Sequence, residues 1–181
     1  MYKQTIEFLK TKNIQFEQGL TDAEVEQTEK VYDIKLPSSL KNFLMTALPI
    51  SKGFYNWRDV TEENVSEIRN AIALPRISIG KEPDQVYWCD EWGSEPDDRE
   101  EFKAEVFKRL KEAPRLIPIF SHRYIPMNLS DDPPVISVCD WDVIYYGILL
   151  EDYFMREFGE KKCDEIYFKD VEYIPFWTDI M

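Results

Sequence analysis

The sequence predicts an α+β fold, an antiparallel β-sheet packed with several α-helices. Three observations predict it. Leu116–Phe120, Val135–Val138 and Val143–Tyr146 are short β-branched or aromatic runs, each bounded by Pro, Asp or Ser, which is the pattern of strands separated by turns. The last run passes through Gly147 into a helical stripe of Leu149, Leu150, Tyr153, Phe154 and Phe158, which places a helix against the sheet. Further helical stripes precede the strands, in the order of an α+β chain. At 181 residues, a single domain buries roughly 70% of its unfolded surface and needs no covalent staples.

Taken in order, Tyr2–Lys12 reads as a short helix with Ile6 and Leu9 inward. Thr21 caps the next helix, Glu24 completes a capping box, and Leu20 and Val25 stand at the staple positions. That helix is expected to end at Tyr32–Asp33, where Asp tolerates a left-handed turn. Pro37 opens a third helix at its first position, with Leu40, Phe43, Leu44, Ala47 and Leu48 forming one stripe until Pro49. Gly53–Asp59 is an aromatic loop or short strand. A fourth helix is expected over Thr61–Ala73, stopped by Pro75. Val86–Cys89 is read as a strand, and Asp98–Glu112 as a helix with Phe102, Val106 and Leu110 inward and its basic residues in the last turns. Glu165–Phe168 is read as a final strand, and the aromatic tail Tyr173–Met181 as a segment that docks.

Composition narrows function. The net charge of −13 disfavours nucleic acid and anionic membrane surfaces, because nothing offsets phosphate repulsion. It suits a basic protein partner, since complementary fields speed encounter. Cys89, Cys139 and Cys163 are odd in number and widely spaced, which fits a reduced, cytoplasmic compartment. The N-terminus lacks the apolar core of a signal peptide, and the run Val143–Leu150 is too short to span a bilayer.

Chemistry-bearing patterns are sparse. His122 is the only histidine, so it builds no His-rich metal site, and phosphate-loop, dinucleotide and nucleophile-elbow motifs are absent from the sequence. Asp131 and Asp132, with Asp140 and Asp142 nearby, are the best candidates for a hard-cation site, but Asp131–Pro134 reads more simply as a turn. No metal and no cofactor are expected. In Trp88–Trp92, strand alternation would put Trp88, Asp90 and Trp92 on one outward face, an anchor for a partner's Arg or Lys. The other arrangement puts Trp88 in the core and Trp92 at a turn ending in Gly93. Glu91, Glu95, Asp97 and Asp98 extend the acidic surface, and Asp140–Trp141–Asp142 repeats the theme at a turn where Trp141 is partly exposed. Tyr55, Trp57, His122, Arg123 and Tyr124 are candidates for a cleft.

Several stretches together resemble the SUKH superfamily: GLTDAEVEQTEKVYDIKLPSSLKNFL (Gly19–Leu44), GFYNWRD (Gly53–Asp59), YWCDEWG (Tyr87–Gly93), APRLIPIFSHRYIP (Ala113–Pro126) and DVIYYGILLEDYFMREF (Asp142–Phe158). Its best-known members are bacterial immunity proteins that neutralise polymorphic toxins, and a yeast regulator of cell-wall glucan synthesis. Ser121 and Asp33 depart from it, standing where glycine is common in the family. The resemblance implies one SUKH-like domain over residues 1–181, with an N-terminal helix in 1–18 and a core with docked tail in 19–181. It also implies a non-enzymatic role, binding a toxin that is often a nuclease. A regulatory or scaffolding adaptor of the same fold is the alternative expectation, and a carboxylate-dependent hydrolase ranks last.

Overall fold

The computed structural model describes residues 2–159 and 166–181, apart from the side chain of Phe168. Its helices are α1 (Lys3–Thr11), α2 (Asp22–Tyr32), α3 (Ser38–Thr46), α4 (Glu62–Lys81), α5 (Arg99–Glu112) and α6 (Leu150–Glu157). Its strands are β1 (Phe16–Gln18), β2 (Ala47–Pro49), β3 (Leu116–Phe120), β4 (Arg123–Pro126), β5 (Val135–Cys139) and β6 (Asp142–Gly147). The fold is α+β, with β1 and β2 forming a small antiparallel pair and β3-β4-β5-β6 an antiparallel meander.

The meander separates two hydrophobic cores. Ile117, Ile119, Ile125 and Val135 face one, together with α1, α2, α3, α6 and the first half of α4. Leu116, Tyr124, Ile136, Val138, Val143 and Tyr145 face the other, with α5, the end of α4 and the C-terminal tail. Strands β3, β4 and β5 are therefore buried on both faces and read as mostly apolar runs, with Arg123 and Ser137 as buried polar exceptions, rather than as alternations. Between Pro118 and Phe120 the β3–β4 register shifts, and Ser121 turns the chain at φ 48°.

Local signals set both ends of α2 and the start of α5. Thr21 accepts from the Glu24 amide at 3.2 Å while the Glu24 carboxylate accepts from the Thr21 amide at 2.7 Å, which completes the capping box. Asp33 ends α2 at φ 51°, ψ 52°. Asp98 caps α5, accepting from the amides of Glu100 and Glu101 at 2.8 and 3.1 Å.

Several expectations are corrected. Helix α4 runs through Pro75 to Lys81 instead of stopping at Ala73. Its buried positions Ile68, Ile72, Pro75 and Ile79 keep helical spacing and carry the helix from the first core into the second, which offsets the hydrogen bond that Pro75 cannot donate. Pro37 is the residue before α3, not its first, and α3 ends at Thr46 because Ala47–Pro49 leaves to pair with Phe16–Gln18. Leu48, expected on the α3 stripe, is buried from a strand. Val86–Cys89 forms no strand and links two 3₁₀ turns, Pro83–Gln85 and Asp90–Trp92. Of the expected last strand, Glu165 and the nearby Cys163 lie outside the described residues, and Phe168–Asp170 is a 3₁₀ turn. The tail docks: Ile174, Phe176, Trp177 and Ile180 are buried, and the Trp177 indole donates to the Pro114 carbonyl at 2.9 Å.

Candidate protein-interaction site

The segment from Glu82 to Glu101 packs Trp88 and Trp92 partly inward, leaves Tyr87 63% exposed and turns its carboxylates outward. Without strand alternation, Trp88, Asp90 and Trp92 do not share an outward face. Gly93, at φ 94°, closes the Asp90–Trp92 turn and lets its carbonyl accept from the Trp88 indole at 2.8 Å. The two indoles meet edge to face, with centroids 5.2 Å apart, and Trp88 also packs on Phe102 at 5.1 Å. Trp92 stacks on Phe176 of the tail at 6.1 Å and donates to Asp179 at 3.0 Å. The Arg109 guanidinium lies 4.7 Å from the Trp92 ring centroid, so the chain's own arginine takes the cation–π position expected for a partner.

Glu82, Asp84, Asp90, Glu91, Glu95, Asp97, Asp98, Glu100 and Glu101 are all solvent-facing. Some have local work. Asp98 caps α5, Glu95 meets Arg99 at 3.3 Å, and Lys103 reaches Glu100 and Asp84 at 3.0 and 3.5 Å. Among the described residues, Glu82, Asp90, Asp97 and Glu101 form no ion pair. The Cys89 thiol, 2.7 Å from Glu91, is pushed up to about 11 by burial and then by that hydrogen bond, so it stays protonated at neutral pH.

A second acidic point is the β5–β6 turn. Asp140 sits at φ 55°, Trp141 is 42% exposed, and Asp140 and Asp142 face solvent. Val138 and Val143 at its base belong to the same core as Val86 and Phe102 beneath the first segment. Both acidic stretches thus stand on one core, without a hydrogen bond or ion pair between them among the described residues.

The expected cleft residues are mostly packed. Trp57 is buried against Tyr32, and Tyr124 is buried in the second core. Arg123 is buried, bonding Glu157 and Ser137 at 3.0 Å each and stacking 3.8 Å over Tyr146. Tyr55 donates to the Ser121 carbonyl at 2.8 Å. The His122 imidazole is held below its ordinary value by burial and by the adjacent Arg123 charge, so it is neutral at physiological pH.

The aspartates weighed as a cation site are separated. Asp131 accepts from Ser38 at 2.7 Å and Asp132 from the Leu150 amide at 3.1 Å, at the opposite end of β5 from Asp140 and Asp142. Among the described residues, no group of three or more His, Cys, Asp or Glu is placed to hold a metal ion. No helix among them is long and apolar enough to cross a membrane.

Sequence reasoning missed a cationic groove. Arg76 on α4 and Arg115 before β3 converge beside Met127, with Lys111 at the rim. The available signal was slight: each arginine directly follows a proline at an element boundary or kink position, Pro75 or Pro114. No family model, curated protein or solved structure matches the chain.

Proposed function

We propose that this protein works by binding another protein, a basic one, through the acidic surface of residues 82–101, and catalyses no reaction itself. The observation that carries this is the row of nine solvent-facing carboxylates between Glu82 and Glu101, six of them without an ion pair among the described residues, in a chain of net charge −13. Such a surface accelerates encounter with a positive partner and repels anionic competitors. Its rigidity comes from the Trp88–Trp92–Phe176 stack below, which lowers the ordering cost of association. The resemblance to the SUKH superfamily supports a narrower reading, that the partner is a secreted toxin and the chain its cytoplasmic immunity protein. A nuclease toxin fits, because its basic groove for the phosphate backbone is complementary to carboxylates.

The test is co-expression with the product of the gene neighbouring the chain's own, scored as cell survival, followed by stopped-flow association of the purified pair. The chain should protect. Asp90→Asn, Glu91→Gln, Asp97→Asn and Asp98→Asn together should slow association at low salt by about tenfold or more, with a smaller effect at high salt. An association rate unaffected by the four substitutions would remove this surface from the reading, and failure to protect would remove the toxin.

A further inference from the structure

A chain this acidic gathers two guanidinium groups and an ammonium around one groove. Arg76 crosses from α4 to donate to the Leu110 carbonyl at 2.6 Å and to the Ala113 carbonyl, at the C-terminal end of α5. Arg115 donates to the carbonyls of Asp33 and Tyr32, at the C-terminal end of α2. Each arginine therefore satisfies helix-end carbonyls that lack intrahelical donors. That accounts for where they sit; Arg115 also meets the Asp33 carboxylate at 3.4 Å, and the helix C-termini carry partial negative charge, so the cations without a carboxylate are Arg76 and Lys111.

Among the described residues, Arg76 and Lys111 form no ion pair, and the carboxylate nearest Arg115 is the fully exposed one of Asp33 at 3.4 Å. The two guanidiniums feel each other: Arg76 is shifted downward by burial and then by the charge of Arg115. A guanidinium carries five N–H donors, and the two that Arg76 gives to carbonyls leave three for something else. The groove they line, with Glu112, Asn128 and Pro175, is an open depression of about 660 Å³, in which Glu112 is a carboxylate facing the three cations.

We infer that this groove is an anion site, taking a small ligand that carries a phosphate or carboxylate group between Arg76 and Arg115, with Lys111 at the rim. The N–H donors that the two guanidiniums do not give to carbonyls can bond the oxygens of such groups. The partly desolvated setting strengthens the attraction relative to open water. The site is independent of the acidic surface proposed above and opposite to it in sign.

The experiment is a titration of the full chain with inorganic phosphate and, separately, with citrate, following the arginine side-chain N–H resonances by NMR. Sodium chloride at matched ionic strength is the reference. Saturable shifts confined to Arg76 and Arg115 are expected. Lys111 is exposed and, among the described residues, has no side-chain hydrogen bond or ion pair to lose, so Lys111→Gln should keep the melting temperature while weakening the apparent affinity about three- to tenfold. Arg76→Gln should abolish saturation. If that variant does not fold, for want of its bonds to α5, Lys111→Gln carries the test. Saturation by phosphate alone assigns a phosphate ester, and by citrate alone a carboxylate. Shifts that follow ionic strength, that spread over all surface cations, or that Lys111→Gln leaves unaltered would overturn the site.

Discussion

Asp33 carries the α2 C-terminus in a left-handed conformation at φ 51°, one that costs most non-glycine residues energy. Asp33→Gly should therefore raise stability by roughly 0.5 kcal/mol, the relief of strain exceeding the added freedom of the unfolded chain. A denaturant melt would show the midpoint rise. Gly19 is constrained oppositely: a Cβ there would sit 1.9 Å from the Met45 carbonyl oxygen, so Gly19→Ala should cost about 1–3 kcal/mol. Glu24 and His122 both contribute to the acid response. The Arg58 guanidinium, 2.6 Å from Glu24, holds that carboxyl down to about 2. Its contribution is complete above the ordinary carboxylate value and fades as pH falls toward 2. His122 is depressed in the fold, so its contribution is present above about 6.5 and fades as pH falls through that value. Glu24→Gln should flatten the stability–pH curve at its acid end, and His122→Asn below the ordinary histidine value, as read by thermal melts across pH.

Elements respond to their caps and supports. Thr21→Ala removes one half of the α2 capping box and should cost about 1 kcal/mol, with the loss visible first as amide exchange in the first turn. The acidic segment depends on Trp92, which joins it to the tail through Phe176 and Asp179. Trp92→Phe keeps a ring but loses the indole donor, leaving about 1 kcal/mol of destabilisation, whereas Trp92→Ala should cost more, about 2–4 kcal/mol for a half-buried ring. Measuring both by urea melts separates ring packing from the hydrogen bond. At this scale the sequence was legible where the deciding interaction is local. The capping box at Thr21 and Glu24, the αL end at Asp33 and the Asp98 start of α5 all lie within one turn of the residues that signal them. It was misleading where distant packing decides. Pro75 normally halts a helix, and only the two cores that α4 joins keep it going. Ala47–Pro49 reads as the end of a helical stripe until Phe16–Gln18 arrives to pair with it.

The whole molecule carries its charge at a cost. Self-repulsion among the excess carboxylates should make the chain melt higher as salt rises from about 10 mM to 150 mM, with the gain flattening as the screening length shortens. The four amide substitutions in residues 90–98 should themselves raise the melting temperature at low salt. They would then separate a surface kept for binding from one kept for stability. Of the candidate site, the acidic and aromatic composition was legible and the orientation was not. Trp88 and Trp92 read equally well as anchors or as core, because a run of five residues does not say whether it alternates as a strand or coils as a turn. The tail, more than seventy residues away in sequence, settles it by stacking Phe176 on Trp92. Arg76 and Arg115 were invisible as a pair for the same reason. By itself the sequence determined the α+β class, both ends of α2, the start of α5 and the net negative charge, since these follow from residue type and near-neighbour spacing. Only the tertiary structure decided which rings point outward, how far α4 extends and where positive charge collects, because each depends on contacts between segments that are remote along the chain.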